Sequence, residues 1–162
     1  DSDKNIVEHK IVLDYIIEKL TPLCENISYS KKPSILKLKN VDHLLSKVEG
    51  KAKQSIHLLD LVNKIHPTPA ISGNPIDTSL KIISTLEDHS RGWYAGPIGW
   101  IDKNGYGETK VALRSCLIND DKAFLFSGSG IVDKSELIKE WEETELKFLP
   151  MINSLTTKKI YE

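Results

Sequence analysis

The stretch from residue 93 to residue 127 alternates between strand-like runs and tight turns, and no other feature constrains the fold of the chain as much. Asp102-Lys103-Asn104-Gly105 has the composition of a hairpin turn. It separates a predicted strand at 93–101 from a return strand at 109–118, and a third strand is predicted at 122–127. Consecutive strands joined by short turns form an antiparallel meander, which excludes a βαβ unit in this stretch.

Helical patterns lie on both sides of this meander. Apolar residues recur at helical spacing over 4–20, where Ser2 or Asp3 can cap the start, and over 56–65. A further helix, capped by Asp77, is predicted through about Leu86. A last helix is predicted to begin after Ser135, and Pro150 is expected to stop or kink it. The chain is therefore predicted to combine helices with antiparallel strands.

The part between the first two helices is less regular. Residues 34–38 alternate as in a short strand. Residues 42–48 are predicted to form a helical turn, and residues 49–55 are predicted to form a polar loop. The segment His66-Pro67-Thr68-Pro69-Ala70 follows the second helix. Two prolines one residue apart cannot continue a helix, so an extended backbone is expected there.

Composition and charge narrow the class of protein. The chain has 162 residues, enough for one domain or a large piece of one, and a net charge of −1 argues against a strongly basic nucleic-acid-binding protein. No apolar run is long enough to cross a bilayer, no signal peptide is recognisable, and two cysteines are too few for a disulfide framework. A reducing compartment is expected. Because the only methionine is Met151, the chain is expected to be either a processed product or the C-terminal part of a longer protein.

Acidic and basic side chains share one stripe of the last predicted helix. Glu140, Glu143 and Lys147 are spaced by three and four residues, which places them on one face. One interpretation is a solvated face with a stabilising Glu-to-Lys pair. The other is a carboxylate pair that faces a cleft, since carboxylate oxygens are ligands for Mg²⁺ and the lysine can pair with an anionic substrate.

Two further residues each allow a structural and a functional interpretation. Glu8 shares the apolar side of the first helix, where a carboxylate is either at the frayed edge or needs a partner such as a metal ion. Arg114 is predicted in mid-strand between Ala112 and Cys116. Its planar guanidinium either reaches past the sheet to solvent or binds a carboxylate in bidentate geometry.

Other common chemistries find little support. His43 and His66 have no Cys or His at ligand spacing, so a zinc site is not expected. No Gly-x-Ser-x-Gly segment is present for a serine hydrolase. Gly128-Ser129-Gly130 lacks both the third glycine of a dinucleotide fingerprint and the Gly-Lys-Ser/Thr of a P-loop.

Taken jointly, several segments resemble the C-terminal part of the chorismate-utilising enzymes, and within that family the isochorismate synthases. They occur in the family's order over nearly the whole chain and are Glu8-His9, His66-Pro67-Thr68-Pro69-Ala70-Ile71-Ser72-Gly73, Arg91-Gly92-Trp93-Tyr94-Ala95-Gly96-Pro97-Ile98-Gly99-Trp100, Val111-Ala112-Leu113-Arg114-Ser115, Ser127-Gly128-Ser129-Gly130-Ile131-Val132 and Glu140-Trp141-x-Glu143-Thr144-x-x-Lys147. Anthranilate and aminodeoxychorismate synthases carry Gly-Ala-Pro-Lys where this chain has Gly73 followed by Asn74-Pro75-Ile76. The missing lysine favours isochorismate synthase.

The resemblance implies a fold and a metal site. The expected class is α+β, with antiparallel sheets and helices packed outside, as in anthranilate synthase component I, and residues 1–162 would form the C-terminal portion of a single chorismate-binding domain. Glu8 and Glu143 match the family's two Mg²⁺-binding glutamates, and Glu140 matches a nearby helper. The Mg²⁺ would hold the ring carboxylate of chorismate.

The resemblance also implies substrate-binding positions, which are Ala70, Ile71, Tyr94, Arg114, Gly128 and Lys147. Arg114, the Gly128 backbone and Lys147 match positions that grip the substrate's carboxylates, while the other three match positions that wall the ring. His43 matches a histidine near the reacting end of the ring and is the candidate catalytic residue within this chain.

The implied reaction is a reversible, Mg²⁺-dependent isomerisation of chorismate to isochorismate, which supplies menaquinone, phylloquinone, siderophore or salicylate synthesis. Water adds at one ring carbon as the hydroxyl at another leaves, so a base and an acid are needed. In the family these are a lysine and the glutamate of a Ser-Pro-Glu segment, both upstream of the Glu8 region. Neither motif occurs in this sequence, so the chain by itself is expected to be inactive.

Three alternatives stay open at this point. A salicylate synthase or another chorismate-utilising enzyme is the alternative within the same chemistry. A relative that binds chorismate-like dianions without turnover is the second, and a domain with a solvated acidic stripe and no metal is the third. Neither nucleic acid nor a membrane is an expected partner, the expected location is the cytoplasm or the plastid stroma of a plant, and self-association is expected if apolar faces are exposed.

Overall fold

The computed structural model describes residues 3–37 and 42–156 and divides into two compact units. Unit 1 comprises Asp1–Ser90 and Pro97–Lys110, and unit 2 comprises Arg91–Gly96 and Val111–Glu162. Helices and two-stranded antiparallel sheets alternate along the chain, which confirms the α+β class. In the described residues, no helix is both long enough and apolar enough to cross a membrane.

Unit 1 is organised around its first helix. Helix α1 (Asp3–Leu20) agrees with the predicted helix at 4–20, although Ser2, a predicted cap, lies outside the described residues. Helix α2 (Leu58–Ile65) was also predicted, and it begins with a capping box in which the His57 side chain accepts from the backbone of Leu59 and the Asp60 carboxylate accepts from the backbone of His57. Helix α2 packs against α1.

The segment between these helices is a pair of two-stranded sheets. Strand β1 (Cys24–Tyr29) pairs with β4 (Val48–Ala52), and β2 (Ser34–Lys37) pairs with β3 (Asp42–Leu45). The predicted strand at 34–38 is confirmed as far as Lys37, and Leu38 lies outside the described residues. The predicted helical turn at 42–48 is wrong, and the polar loop predicted at 49–55 is confirmed only for 53–55, because β4 extends to Ala52. Glu49 and Lys51 are polar because their strand positions face solvent, and backbone pairing rather than apolar burial holds them extended.

Two short helices follow α2. Helix α3 (Pro69–Ser72) starts at the second proline of the His66–Ala70 segment, as befits a residue with a fixed φ and no N–H to satisfy, so the expected extended backbone is confined to the residues before it. Helix α4 (Ile76–Leu86) begins one residue earlier than predicted, with Asp77 in its first turn rather than at the cap. Helix α3 packs against both α1 and α4.

The predicted hairpin at 102–105 is present. It joins β5 (Pro97–Ile101) to β6 (Gly107–Val111), and the turn is closed by the backbone of Asp102, which donates to the carbonyl of Tyr106. The Asp102 carboxylate accepts from two backbone N–H groups of the same turn. The strand predicted over 93–101 is shorter than expected because the residues before Pro97 form a turn.

Unit 2 holds one hairpin and one long helix. Strands β7 (Cys116–Asn119) and β8 (Lys122–Leu125) pair around the predicted turn, and helix α5 (Leu137–Thr156) follows a loop of small residues. Pro150 was predicted to stop or kink the last helix; helix α5 continues through it, so a stop at this proline is wrong. After Pro150, the hydroxyls of Ser154 and Thr156 each donate to the backbone carbonyl of the residue four positions earlier.

The return strand predicted at 109–118 is divided in two. Strand β6 ends at Val111, β7 begins at Cys116, and Arg114 between them has a φ of +52°. A left-handed residue cannot continue a pleated strand, so the interpretation of Arg114 as a mid-strand residue is wrong. The segment that interrupts the strand is hydrogen-bonded to the turn at 91–96. The backbone N–H of Ala95 donates to the carbonyl of Ala112, and the N–H of Ala112 donates to the carbonyl of Gly96.

Candidate active site

The acidic and basic stripe of α5 forms one connected cluster. Nζ of Lys147 lies 2.6 Å from Oε1 of Glu143 and donates to the carbonyl oxygen of Gly128 at 2.9 Å. The Lys147 side chain retains only 15% of its exposure, so its charge is held close to the protein rather than in bulk water. The ammonium therefore joins the helix to the glycine loop, which a purely solvated face would not do.

The loop before α5 contacts the helix through two serines as well. The Ser127 hydroxyl donates to the backbone carbonyl of Thr144 at 3.0 Å, and the Ser129 hydroxyl donates to Oε2 of Glu140. Glu140 is buried, with 6% of its surface exposed, and it lies in the first turn of α5, where the helix dipole favours an ionised carboxylate.

The aromatic residue Tyr94 lies beside the same loop. Its ring stacks on Phe126, with centroids 5.3 Å apart and an interplanar angle of 18°. A Cβ atom placed on Gly128 would lie 3.9 Å from Oη of Tyr94. The phenol ring, the Gly128 backbone and the Lys147 ammonium therefore form one corner of unit 2.

Arg114 borders a cavity of about 240 Å³ in unit 2. The other wall of the cavity is the C-terminal half of α5, beginning one turn after Lys147, and the lining residues are Arg114, Ser115, Cys116, Pro150, Met151, Ser154 and Leu155. The lining thus combines one basic residue, Arg114, with apolar ones, and a guanidinium can bind a carboxylate in bidentate geometry.

In unit 1, Glu8 lies on α1 with its Oε1 atom buried. That atom is 3.4 Å from Nζ of Lys4, one helical turn earlier. The neighbouring His9 is hydrogen-bonded to the hydroxyl of Ser46, 2.7 Å from Nε2, so α1 is fixed at this level to the segment that follows β3. Glu8 is therefore a partly buried carboxylate on a well-anchored turn and not a frayed helix end.

The remaining predicted residues of unit 1 lie on elements that pack against α1. Ala70 and Ile71 are on α3, and His43 is an exposed residue of β3 paired with Leu36. Next to α3, partial burial lowers the pKa of His66, which keeps this imidazole neutral near pH 7.

Each unit thus brings predicted residues together. Unit 2 gathers Tyr94, Gly128, Glu140, Glu143 and Lys147 at the glycine loop, and Arg114 lies at the cavity further along α5. Unit 1 places Glu8 on α1 and the other predicted residues on elements that contact α1.

Sequence reasoning missed the supporting contacts of Lys4, Phe126, Ser127 and Ser129. Only the Lys4–Glu8 pair had a signal in the sequence, its spacing of four residues. The serine contacts depend on how the loop folds against α5, which no periodic pattern encodes.

Comparison with known protein families identifies the fold. The family model described as chorismate binding enzyme matches residues 1–156, nearly the whole chain. This chain belongs to the chorismate-binding enzyme family. The family resemblance inferred from the sequence is confirmed.

Relatives in the chorismate-binding family are similar over almost all of the chain. Isochorismate synthase MenF of Bacillus subtilis is 43% identical over 155 residues, which cover 96% of this chain and 33% of that protein. The solved structure of a Bacillus anthracis protein described as an isochorismate synthase, DhbC, matches with a TM-score of 0.92 at 32% identity, over 96% of this chain and 42% of that one.

Anthranilate synthase component I from Streptococcus pneumoniae matches with a TM-score of 0.84 at 27% identity, over 93% of this chain and 35% of that one. The component I-like fold expected from the sequence is thereby confirmed. This chorismate-binding chain spans about a third of the length of isochorismate synthase MenF of Bacillus subtilis.

The predicted metal ligands have the donor chemistry that suits a Mg²⁺ ion. In unit 2, Glu140 and Glu143 offer hard carboxylate oxygens and Glu140 is buried; in unit 1, Glu8 offers another carboxylate, whose Oε1 atom is buried. Within residues 3–37 and 42–156, no group of three or more His, Cys, Asp and Glu side chains is arranged to hold a metal. Mg²⁺ typically takes only one or two carboxylates and completes its shell with water and substrate oxygens, so a sparse carboxylate set suits it.

Proposed function

We propose that this chain is the metal- and carboxylate-binding part of a Mg²⁺-dependent isochorismate synthase. The observation that carries the proposal is the Glu143–Lys147–Gly128 cluster on α5, found in a chain that is 43% identical to isochorismate synthase MenF over 155 residues. A carboxylate and an ammonium held at a backbone carbonyl provide a metal ligand and an anion-binding group within one turn of helix.

The proposed substrate is chorismate, a small dianion, and the side chains of this chain bind and orient it. Arg114 and Lys147 grip its carboxylates, with the backbone at Gly128 as a third contact. The guanidinium fork gives two parallel hydrogen bonds, whereas the ammonium acts as a point charge, so the two cations fix different degrees of freedom. The walls for the ring are Ala70, Ile71 and Tyr94, and the stacking of Tyr94 on Phe126 supports this role because it limits motion of the phenol ring.

The proposed metal ligands are Glu8 and Glu143, with Glu140 as a further acceptor. Bound Mg²⁺ supplies charge neutralisation for the ring carboxylate and orients it. Glu143 already lies 2.6 Å from Lys147 and Glu8 lies 3.4 Å from Lys4, so each carboxylate has a cation beside it. His43, exposed on β3, is proposed to lie near the reacting end of the ring.

The proposed reaction exchanges a hydroxyl between two ring carbons: a base removes a proton from the water that adds at one carbon, and an acid protonates the hydroxyl at the other, which leaves as water. The general base and general acid are proposed to lie in segments outside this sequence. The sequence contains neither the family's Ser-Pro-Glu segment, which carries the acid, nor the motif of the base lysine. The 162-residue chain is accordingly proposed to be inactive when isolated. The cytoplasm is the proposed location, with the plastid stroma as its counterpart in a plant.

The test is product analysis with the full-length protein encoded by the gene. The protein is incubated with chorismate and Mg²⁺, and the products are separated by chromatography. Isochorismate as the product supports the proposal, and its formation by the full-length protein but not by the 162-residue chain supports the placement of acid and base. Salicylate with pyruvate, or binding of chorismate without turnover, would contradict it in favour of a salicylate synthase or a binding module.

A matched pair of variants tests the metal ligand. Glu143→Gln removes the charge while keeping the shape, and kcat/KM is expected to fall at least about 100-fold with a weaker dependence on Mg²⁺. Glu142→Gln makes the same chemical change at the next residue of α5, where the side chain is exposed, and should leave kcat/KM within about 2-fold. Equal and small effects of the two substitutions would exclude Glu143 as a ligand.

A further inference from the structure

The hydrogen bond between Ser129 and Glu140 is a contact that the proposed binding of metal and substrate does not use. Glu140 is one of only two buried polar or charged residues in the described part of the chain, and the Ser129 hydroxyl donates to its Oε2 atom. A buried ionised carboxylate is costly to keep unless it is hydrogen-bonded or coordinates a cation. The serine supplies one such hydrogen bond from outside the helix.

The neighbouring contacts make the position of Ser129 well defined. Ser127 is bonded to the backbone of α5 at Thr144 and the Gly128 carbonyl accepts from Lys147, so three successive loop residues each contact the helix. The Thr144 hydroxyl in turn donates to the carbonyl of Glu140 at 2.9 Å. The loop is thus fixed directly before the contact, and the Ser129 hydroxyl can hold the Glu140 carboxylate in one rotamer.

A fixed carboxylate on this face of α5 has a consequence for cation binding. Glu140 precedes Glu143 by three residues, so their carboxylates lie on the same side of the helix. A carboxylate at this position would accept from metal-bound water, and Ser129 would then be its hydrogen-bond partner on the loop side. Outer partners of this kind orient ligands, and their loss typically weakens metal affinity by 10- to 100-fold.

We propose that Ser129 is a positioning residue for the divalent-cation site of α5 and acts by holding the Glu140 carboxylate. The inference rests on the proposed function, because it takes Glu143 as a metal ligand. It assigns Ser129 no contact with the substrate. Its contribution is to the affinity for the cation and not to the chemical step.

The experiment measures binding of Mn²⁺, used as a spectroscopic substitute for Mg²⁺, to the full-length protein in the absence of substrate. Free Mn²⁺ is quantified by electron paramagnetic resonance during a titration. Ser129→Ala is expected to raise the Kd about 10-fold. Ser129→Thr keeps the hydroxyl and is expected to restore the Kd to within about 3-fold of the original. Ser127→Ala is the matched control, since this serine bonds a backbone carbonyl of the same helix and no carboxylate.

The outcomes separate the inference from the proposed function. A raised Kd for Ser129→Ala alone supports the positioning role. Equal changes for Ser127→Ala and Ser129→Ala would show that loop anchoring is responsible and would overturn it, as would an unchanged Kd for Ser129→Ala while Glu143→Gln still abolishes binding. If neither the original protein nor any variant binds Mn²⁺, the proposed metal function fails together with it. Circular dichroism of each variant establishes that it is folded, and Ser129→Thr tests the hydroxyl if Ser129→Ala does not fold.

Discussion

Arg114 combines a functional side chain with an unfavourable backbone. Its φ of +52° lies in the left-handed region, where a side chain other than glycine costs about 1–2 kcal/mol. Such residues persist where the surrounding structure determines the conformation, and they concentrate at binding and active sites. The left-handed turn ends β6 and lets the Arg114 side chain border the cavity against α5 instead of lying along a strand.

This backbone makes a prediction about three substitutions in the full-length protein. Arg114→Gly should be more stable than Arg114→Ala by about 1 kcal/mol, because only alanine retains the left-handed penalty. Both should raise KM for chorismate strongly, and Arg114→Lys should also raise it because a point charge replaces the bidentate fork. Thermal unfolding measures the difference in stability between the glycine and alanine variants, and steady-state kinetics measures the KM of each variant. Equal stability of the glycine and alanine variants would show that the positive φ carries no strain.

For single residues, the sequence indicates which side chains are candidates for the site but not which contacts they make. Glu140, Glu143 and Lys147 could be grouped because helical periodicity alone places them on one face. The partners of these residues come from the Ser127–Ser129 loop, whose path against α5 is a tertiary feature. A left-handed Arg114 could not be predicted either, since arginine has no preference for that conformation and the flanking residues alternate like a strand.

At the scale of secondary structure, long amphipathic patterns were predictable and short polar strands were not. Helix α1 agrees with its prediction because eighteen residues of periodic apolar spacing leave little ambiguity. Strand β1 was missed and β4 was read as a loop because their stability comes from pairing with each other over a distance in sequence. Helix α5 passes through Pro150 because packing, including the buried Met151 one residue later, outweighs a missing hydrogen bond.

The connection between α3 and α4 provides a prediction at this scale. Gly73 ends α3 with a φ of +74° and a ψ of 179°, a combination that is essentially restricted to glycine. A Cβ atom at this position would lie 2.6 Å from Cβ of Ser79 on α4. Gly73→Ala is therefore expected to destabilise the protein by about 3 kcal/mol, through backbone strain and overpacking together.

Gly105 is the matched control for this substitution. It has a similar φ of +85° in the β5–β6 turn, but no atom lies within 4 Å of a Cβ built on it. Gly105→Ala should cost only about 1 kcal/mol, the backbone penalty without the steric one. Thermal unfolding of both variants, followed by circular dichroism, measures the difference. Equal losses would mean that α4 moves away from the added methyl group and that the α3–α4 packing is adaptable.

At the scale of the whole chain, the amount of exposed apolar surface is unusual. The described residues include few buried apolar side chains, Ala95 and Met151 among them, whereas several large ones are mostly exposed: Trp93 by 92%, Leu137 by 82%, Leu86 by 78% and Trp141 by 65%. Exposed apolar patches of this kind mark interaction surfaces or favour association. The chain also covers only about 42% of the Bacillus anthracis structure that it matches, so the relative has additional residues with which to cover the equivalent surface.

One apolar surface, the outer face of α5, can be tested directly. Ile138, Trp141, Leu149 and Ile152 are all exposed and lie within about 80° of the helix circumference, together with the exposed Glu145 and away from Glu143 and Lys147. The 162-residue chain alone is therefore expected to self-associate as its concentration rises, which sedimentation velocity would detect. Replacing Trp141 and Leu149 together with lysine should shift it toward the monomer, since two charges would be desolvated in any contact through this face. The same change at Tyr29 and Ile35, two exposed apolar residues of unit 1, is the control. If the control pair abolishes association and the α5 pair does not, the apolar contact lies in unit 1 and the outer face of α5 is not the surface that drives it.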